Sequence, residues 1–351
     1  MRGDTLGGDI AIWKVEADGQ IALRWAITQP TGTPEVHVDP FGRYAIIEVE
    51  LPDFHAADEL QLWSVLPDHT MTLTDSYSEP VVGLDAARGT LSPDGRWLTC
   101  FARQYSGETE ARYQAFRIGD DLQIDSPGMP LVLAPGDPLF STGNMASGWL
   151  PSGTVVLNST GNPMRIHVLH VSASGDVTRT GQVLTPPAGA ASGLLAARQD
   201  GRVIVVTSGY FRVSWSLAVE SSGEVEVVDI LDLQDFAGLG DPHYAPSGLF
   251  VVGAGGFDRI DILRSGIFPG TWSSSPAEGA DALRATISPD GRIALFNHRF
   301  FGSTSRLSTV FCPPEGGMIP TGHHLQVNGR WEDIEFIPFR TEERLAMRRT
   351  W

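Results

Sequence analysis

The sequence has few cysteines and no long apolar run. Two cysteines in 351 residues, Cys100 and Cys312, give no disulfide framework, and both lie in strand-like stretches, which favours buried thiols. No run of 18 apolar residues occurs, so nothing predicts a transmembrane helix. The N-terminus lacks the apolar region of a signal peptide. As written, the chain is expected to be cytoplasmic and not inserted in a membrane; a removed leader would leave no trace.

Basic residues are also scarce. The chain has 25 basic against 42 acidic residues, a formal net charge of −17, and Lys14 is its only lysine. Nucleic acids and anionic membranes are bound mainly through positive charge that attracts phosphate groups. We therefore expect no nucleic-acid partner. The acidity itself is typical of a highly soluble surface, and we expect the protein to be a monomer.

Local catalytic motifs are absent. The sequence contains no G-x-S-x-G nucleophile elbow, no H-E-x-x-H zinc motif, no C-x-x-C pair and no glycine-rich phosphate loop opening a helix. A helical 3.6-residue apolar pattern does not persist for three turns outside the last dozen residues. These absences exclude the usual signatures of serine hydrolases, zinc peptidases and nucleotide-binding domains.

A repeated turn followed by an apolar strand is present instead. The stretch SPDGR occurs at Ser92–Arg96 and again at Ser288–Arg292, and each copy precedes an apolar strand. Degenerate copies share the turn glycine, and the full series is Gly42, Gly95, Gly153, Gly201, Gly248 and Gly291. Successive glycines are 43 to 58 residues apart. A seventh copy at 336–347 keeps the proline and the strand but not the glycine. This period fits one four-stranded propeller blade per repeat.

A second series of hairpins lies between these turns. Its members pair alternating apolar strands across Gly-, Asp- or Pro-containing turns, at 10–25, 60–75, 113–126, 166–181, 215–229, 260–272 and 307–322. The chain thus begins with an outer hairpin and ends with an inner one. We predict a single all-β domain over residues 1–351, a seven-bladed β-propeller whose ring is closed by residues 8–27 and 334–351 sharing one blade. Two β-sandwich domains would also give short strands, but not this constant period.

The SPDGR turn, the apolar strand and the second hairpin together resemble the PD40 or TolB-type repeat of WD40-like bacterial β-propellers. The chain lacks the Gly-His and Trp-Asp marks of WD40 repeats proper. Proteins similar to it include protein-binding scaffolds, the propeller lids of prolyl oligopeptidase-type enzymes, lactonases and polysaccharide lyases. The resemblance implies a propeller fold, and it leaves the function open because one fold serves many functions.

Loop lengths predict where a ligand would bind. The turns within the inner hairpins are short, whereas the loops between second and third strands and the crossings between blades are long: 55–59, 103–112, 158–164, 208–214, 253–259, 297–305, 134–148, 235–243 and 322–333. Long loops on one face of a rigid scaffold usually carry the binding site. We expect contacts on this face, around the mouth of the central channel.

Candidate site residues lie near the ends of the predicted inner strands and are Asp85, Asp281, His243, His298 and Arg299. Asp85 and Asp281 each lie ten residues before a turn glycine, so they should occupy equivalent places at the channel mouth. Such acids could hold Ca²⁺ or another divalent cation, and added imidazoles would permit Zn²⁺ or general acid–base work. Alternatively, the acids only cap strands or pair with arginines such as Arg88 or Arg284.

Two functions remain open. Because no catalytic motif is found, the first is a non-enzymatic scaffold that binds a protein or peptide on the long-loop face. The second is a propeller hydrolase or lyase, lactonase-like, with His and Asp and a possible metal ion at the channel mouth. Loop aromatics would suit protein, peptide or sugar contacts; they are Phe140, Tyr210, Phe211, Phe257, Phe300 and Phe301.

Overall fold

The structure is a computed structural model of the chain. It describes residues 9–28, 35–49, 59–68, 70–78, 84–104, 111–139, 147–159, 165–185, 190–197, 203–209, 213–232, 243–244, 249–254, 256–261, 270–274, 281–288, 290–299, 304–313 and 319–328. In these ranges the protein is all-β apart from one 3₁₀ turn, Pro151–Gly153. No helix within them is long and apolar enough to cross a bilayer.

The strands form one two-stranded and six four-stranded antiparallel sheets. Hairpin I is β1 (Asp9–Val15) and β2 (Ile21–Thr28). Sheet II is β3 (Glu35–Val38), β4 (Tyr44–Val49), β5 (Glu59–Val65) and β6 (Met71–Ser78). Sheet III is β7 (Leu84–Leu91), β8 (Trp97–Gln104), β9 (Ala111–Arg117) and β10 (Leu131–Leu133). Sheet IV is β11 (Ser147–Trp149), β12 (Thr154–Ser159), β13 (Arg165–Val171) and β14 (Val177–Leu184).

The remaining three sheets repeat the same strand order. Sheet V is β15 (Ala190–Ala197), β16 (Val203–Gly209), β17 (Val213–Val219) and β18 (Val225–Asp232). Sheet VI is β19 (His243–Tyr244), β20 (Leu249–Ala254), β21 (Gly256–Asp261) and β22 (Gly270–Ser274). Sheet VII is β23 (Asp281–Ile287), β24 (Ile293–Arg299), β25 (Thr304–Phe311) and β26 (Ile319–Asn328).

The SPDGR stretch is a turn whose serine side chain satisfies the backbone of the following strand. In sheet III the Gly95 N–H donates to the Ser92 carbonyl (2.9 Å), and Gly95 has φ +62°, a conformation that favours glycine. The Ser92 Oγ accepts the Trp97 N–H (2.9 Å) and donates to the Asp94 carboxylate (2.6 Å). In sheet VII the Ser288 Oγ makes the same bonds, to Ile293 N–H (3.0 Å) and Asp290 (2.7 Å).

The sheets pack side by side in chain order. The first strands of successive sheets contact one another, from β3 to β7, β11, β15, β19 and β23. Apolar side chains fill the spaces between the faces, for example Tyr44 and Ile46 of sheet II against Leu98, Cys100 and Phe116 of sheet III. Burial of large apolar side chains is the dominant favourable term in such packing. The arrangement is that of a β-propeller-like fold.

Hairpin I packs on two sheets at once. Ile12 lies in the apolar cluster of sheet II that includes Ile47 and Trp63, and Trp13 packs against Leu295 and Leu307 of sheet VII. The first and last described parts of the chain therefore meet. Residues 334–351, predicted to share a blade with this hairpin, lie outside the described residues, as does the repeat copy at 336–347.

The predicted hairpin 113–126 forms only around its turn. The Gly119 N–H donates to the Gln123 carbonyl and the Asp125 N–H to the Arg117 carbonyl (2.9 Å each), with one antiparallel bridge between Ile118 and Ile124. The fourth strand of the sheet is instead β10, Leu131–Leu133, which pairs with Ala111–Tyr113 of β9. Two prolines follow, Pro127 and Pro130, which cannot donate to a sheet ladder. Between them, Met129 bonds to sheet IV instead: its N–H donates to Asp176 (2.8 Å), and its carbonyl accepts the Val177 N–H (2.9 Å).

Two predicted loops are shorter than expected. Strands β20 and β21 are separated only by residue 255, so the long loop at 253–259 is wrong, because Gly253 and Ala254 already pair with Phe257 and Gly256. In sheet VII the strand β24 continues through His298 and Arg299, which were expected beyond its end. Cys100 and Cys312, by contrast, are buried and not disulfide-bonded, as predicted.

Candidate functional site

Antiparallel order places the predicted loops on one face. The first strands of the sheets begin, and the second strands end, at the face we call the loop face, where β7 and β23 start and β8 and β24 end. The strand ends that the long connections join, between second and third strands and between sheets, lie on this face. Most of their residues are outside the described ranges, including the candidate aromatics Phe140, Tyr210, Phe211, Phe300 and Phe301.

Strand register places acids opposite arginines at the loop face in two sheets. Asp85 of β7 is the register partner of Arg103 of β8. Asp281 of β23 is the register partner of Arg299 of β24. The side chains of these four residues lie outside what the structure describes. Their backbone positions are equivalent in the two sheets, as the spacing to the turn glycine predicted.

Sheet order brings only some of the candidates together. His298 is the register partner of Ala282, one residue from Asp281, so both belong to the same end of sheet VII. His243 begins β19, which contacts β23, so its strand neighbours that of Asp281. Asp85 lies in sheet III. Hairpin I and sheet II lie between sheet III and sheet VII. The side chains of His243 and His298 also lie outside the described part.

A buried ionisable pair between sheets II and III was missed by the sequence analysis. His37 of β3 and Glu48 of β4 form a hydrogen bond of 2.8 Å between Nε2 and Oε1. The Glu48 side chain is 5% exposed and that of His37 is 13% exposed. The sequence signal was a single charge, Glu48, inside the apolar strand YAIIEV. Acids are almost never fully buried unless they are paired.

The surroundings of Glu48 come from the neighbouring sheet. Its Oε1 also accepts the backbone N–H of Gly89 of β7 (2.9 Å), and the thiol of Cys100 of β8 lies 3.7 Å away. Its Oε2 is buried and has no hydrogen-bond partner. The pair is therefore a polar cluster at the edge of an otherwise apolar contact between two sheets.

A second buried histidine lies between sheets III and IV. His167 of β13 is 6% exposed, and its Nε2 has no hydrogen-bond partner. Burial lowers the pKa of His167 below its ordinary value, and the nearby positive charge of Arg179 lowers it further. Arg179 itself forms an ion pair of 2.5 Å with Asp137, which precedes sheet IV. The imidazole is therefore held in its neutral form beside an ion pair.

The tie between sheets II and III at the opposite face is fully bonded. Arg43 makes two hydrogen bonds of 2.9 Å to Asp39 and reaches the Gly95 carbonyl at 3.2 Å. The Tyr44 hydroxyl donates to the same carbonyl. The bond to Asp39 raises the pKa of Arg43, and burial raises the pKa of Tyr44. This cluster lies at the SPDGR turn, away from the loop face, and holds two sheets together.

The described residues contain no group of three or more His, Cys, Asp or Glu side chains that could hold a metal ion. The Ca²⁺ expectation concerned Asp85 and Asp281, whose side chains lie outside the described part, so it stays a prediction.

Comparison with known proteins finds the fold but no family. No family model and no curated protein sequence matches the chain. Two similar solved structures are each named a "putative 6-phosphogluconolactonase", one from Bacteroides fragilis NCTC 9343 and one from Bacteroides uniformis ATCC 8492. The first has a TM-score of 0.61 at 14% identity and covers 89% of this chain and 88% of its own. The second has a TM-score of 0.63 at 13% identity and covers 89% and 90%. At these identities the similarity shows a shared β-propeller-like fold.

Proposed function

We propose that the protein is a lactone hydrolase whose site lies on the loop face. This is the enzymatic one of the two functions that the sequence left open. The observation that carries it is the equivalent register of Asp85 with Arg103 and of Asp281 with Arg299, both at the loop face. The similarity in fold to two proteins named for a sugar lactone supports the choice of substrate class.

The residue types at the loop face suit the chemistry of lactone opening. Water attacks the ring carbonyl, so a base must take its proton while positive groups stabilise the oxygen that becomes negative. Aspartate or histidine can serve as the base. Arginine can stabilise the oxyanion or bind a carboxylate or phosphate group through its planar, bidentate donors.

A pH-stat assay with glucono-1,5-lactone and its 6-phosphate ester tests this function. We expect wild-type protein to accelerate acid release, and Asp281→Asn and Arg299→Gln to reduce kcat/KM by about 10²-fold or more. Asp125→Asn and Arg117→Gln are matched controls, because that exposed pair (4.0 Å) lies on the outer part of sheet III. Metal content is measured on the same sample. If wild-type protein does not accelerate the hydrolysis of either lactone, the proposal is overturned.

The second candidate is a scaffold that binds a protein or peptide on the loop face. The absence of every local catalytic motif favours it. We also propose that nucleic acid is no partner, because a net charge of −17 repels phosphate. Fluorescence anisotropy with duplex and single-stranded DNA at low salt should show no binding. A micromolar, salt-dependent affinity would contradict this.

The finer architecture is also a proposal. We infer a single domain and a monomer with seven PD40-type blades, in which residues 334–351 complete the blade begun by hairpin I. Its support is that hairpin I packs on both sheet II and sheet VII. A two-stranded sheet left with an open edge would be prone to pairing with other chains, and closure removes that edge.

A further inference from the structure

We propose that residues 118–130 form a strap that couples the unfolding of sheets II, III and IV, anchored by Asp75 of sheet II and Asp176 of sheet IV. The strap is the connection between β9 and β10, and it lies along the outer edge of sheet III. The inference is independent of the reaction proposed above, because it concerns only how three sheets are held together.

Sheet III leaves most of its third strand without a regular partner. Strand β9 runs over Ala111–Arg117, but β10 has three residues and pairs only with Ala111–Tyr113. In sheets II, IV and V the fourth strand has eight residues and follows the third after a five-residue turn. Open sheet edges expose unpaired backbone groups. Ala115, in the part of β9 that β10 does not reach, is nevertheless completely buried, so something other than a strand covers this edge.

The first half of the strap is anchored on sheet II. The Ile124 N–H donates a hydrogen bond of 2.7 Å to the Asp75 carboxylate of β6. Leu122 and Ile124 pack against the apolar cluster between sheets II and III, as does Tyr77 of β6. Leu122 has φ +57°, a conformation that costs free energy in a residue other than glycine. Packing of the Leu122 side chain against the cluster offsets that cost.

The second half of the strap is anchored on the turn of sheet IV. The Met129 N–H donates to the Asp176 carboxylate (2.8 Å), and the Met129 carbonyl accepts the Val177 N–H (2.9 Å). The bond from Met129 is the main cause that lowers the pKa of Asp176, followed by the bond from the Ser174 hydroxyl. At Gly128 the two backbones nearly touch, since a Cβ there would lie 2.6 Å from the Asp176 backbone nitrogen. A residue with a side chain cannot approach the turn so closely.

The strap therefore joins two sheets that pack on opposite sides of sheet III. Apolar clusters fill the space between sheets II and III and the space between sheets III and IV. Five peptide bonds separate Ile124 from Met129, and Pro127 restricts the chain between them. Separation of either outer sheet from sheet III must break one anchor or pull the strap away from β9. Such a tie makes the opening of one sheet depend on the others, as in a cooperative unfolding unit.

Urea unfolding of Asp75→Ala, Asp176→Ala and the double variant tests the coupling. Either substitution already releases one sheet from the strap. We therefore expect the double variant to shift the unfolding midpoint by clearly less than the sum of the two single shifts, whereas unconnected distant sites give additive shifts. Asp18→Ala is the control, because Asp18 accepts the Gln20 N–H within its own exposed turn (3.0 Å), and it should shift the midpoint least.

Additive shifts, or single shifts no larger than that of the control, would overturn the inference. Should an alanine variant fail to fold, asparagine at the same position serves in the cycle, because it keeps one acceptor oxygen and removes the charge.

Native-state hydrogen exchange of Gly128→Ala tests the strap without removing a carboxylate. The added Cβ must push the strap away from backbone atoms of the sheet IV turn. Gly119→Ala is the matched control, because it lies on the same strap and its Cβ would closely meet only the end of the Asp121 side chain, which can move aside.

In the wild type and in Gly119→Ala, the amides of β4 in sheet II and β12 in sheet IV should exchange through one common opening. In Gly128→Ala, the β12 amides should exchange about tenfold faster or more, while those of β4 change less, since sheet IV has lost its hydrogen bonds to the strap. Separate openings of β4 and β12 in the wild type would show that the strap is only a local tie. A change confined to residues 126–130 in Gly128→Ala would show the same, and either result would contradict the proposal.

Discussion

Thr309 Oγ1 donates a hydrogen bond of 2.7 Å to the carbonyl oxygen of Gly19, a residue 290 positions earlier in the chain. Thr309 lies on β25 of sheet VII, and Gly19 is in the turn of hairpin I. The same hydroxyl lies 2.6 Å from Thr321 Oγ1 of β26. The contact links the first and last parts of the described chain through buried polar atoms. Its loss should therefore lower the stability of the whole fold.

The Gly19→Ala substitution should therefore destabilise the protein more than an equivalent change elsewhere. A Cβ on Gly19 would lie 2.6 Å from Thr321 Cγ2 and 2.8 Å from Thr309 Oγ1. Gly223 is the matched control, because it occupies the same kind of hairpin turn with φ +87° against +90°, and its Cβ would meet nothing within 4 Å. Urea unfolding should show Gly19→Ala about 1–3 kcal/mol less stable than Gly223→Ala. Equal losses would show that hairpin I does not pack on sheet VII.

Deletion of residues 334–351 should lower the melting temperature. If these residues complete the blade of hairpin I, their loss exposes an open strand edge and the apolar face of that hairpin. Differential scanning calorimetry measures the change. An unaltered melting temperature would show that this segment does not close the ring.

Loss of the turn serine should cost stability in both SPDGR copies. In Ser92→Ala the backbone N–H of Trp97 loses its acceptor, and in Ser288→Ala that of Ile293 does. We expect about 1 kcal/mol for each, because a partly buried donor loses its acceptor. Ser222→Ala is the control, because its Oγ lies in an exposed turn and makes only long hydrogen bonds, from the Glu224 N–H (3.3 Å) and to Glu220 (3.4 Å). Denaturant unfolding of the three variants should rank the control as the most stable.

Stability should fall on acidification partly because of His167. Its folded-state pKa lies below the ordinary 6.5, so the unfolded chain binds the proton more readily. This contribution is fully present above pH 6.5 and is lost as the pH falls from there toward the folded pKa. Arg179 and Arg165 oppose protonation of the ring, and Asp137 favours it.

Unfolding of wild type, His167→Gln and His170→Gln at pH 7.5 and pH 5.5 measures this effect. His167→Gln should lose less stability between the two pH values than wild type, whereas His170→Gln should follow wild type. An identical pH dependence in all three proteins would assign the acid sensitivity to other groups.

Local sequence determined the turns and most of the strands. The turn glycines and the Ser-Pro-Asp-Gly-Arg copies fix their own backbone geometry through short-range bonds, so Ser92 and Ser288 behave alike although they are far apart in the chain. Alternating apolar residues likewise determined the hairpins around 60–75 and 166–181, since one buried face per strand is enough to set the pairing. The equivalent places of Asp85 and Asp281 followed from the same repeat.

Tertiary packing decided what lies between repeats. Met129 forms hydrogen bonds with the turn of sheet IV and does not pair with β9. The two prolines on either side of it cannot donate hydrogen bonds to a ladder in its own sheet. In the sequence, Glu48 only interrupts the apolar residues of its strand. It is a buried carboxylate because Gly89 and His37, which belong to other strands, lie against it. Such contacts join residues far apart in the chain, and no local pattern encodes which sheet face will meet which. The repeat therefore determined the sheets, and the packing of sheet on sheet determined where charge could be buried.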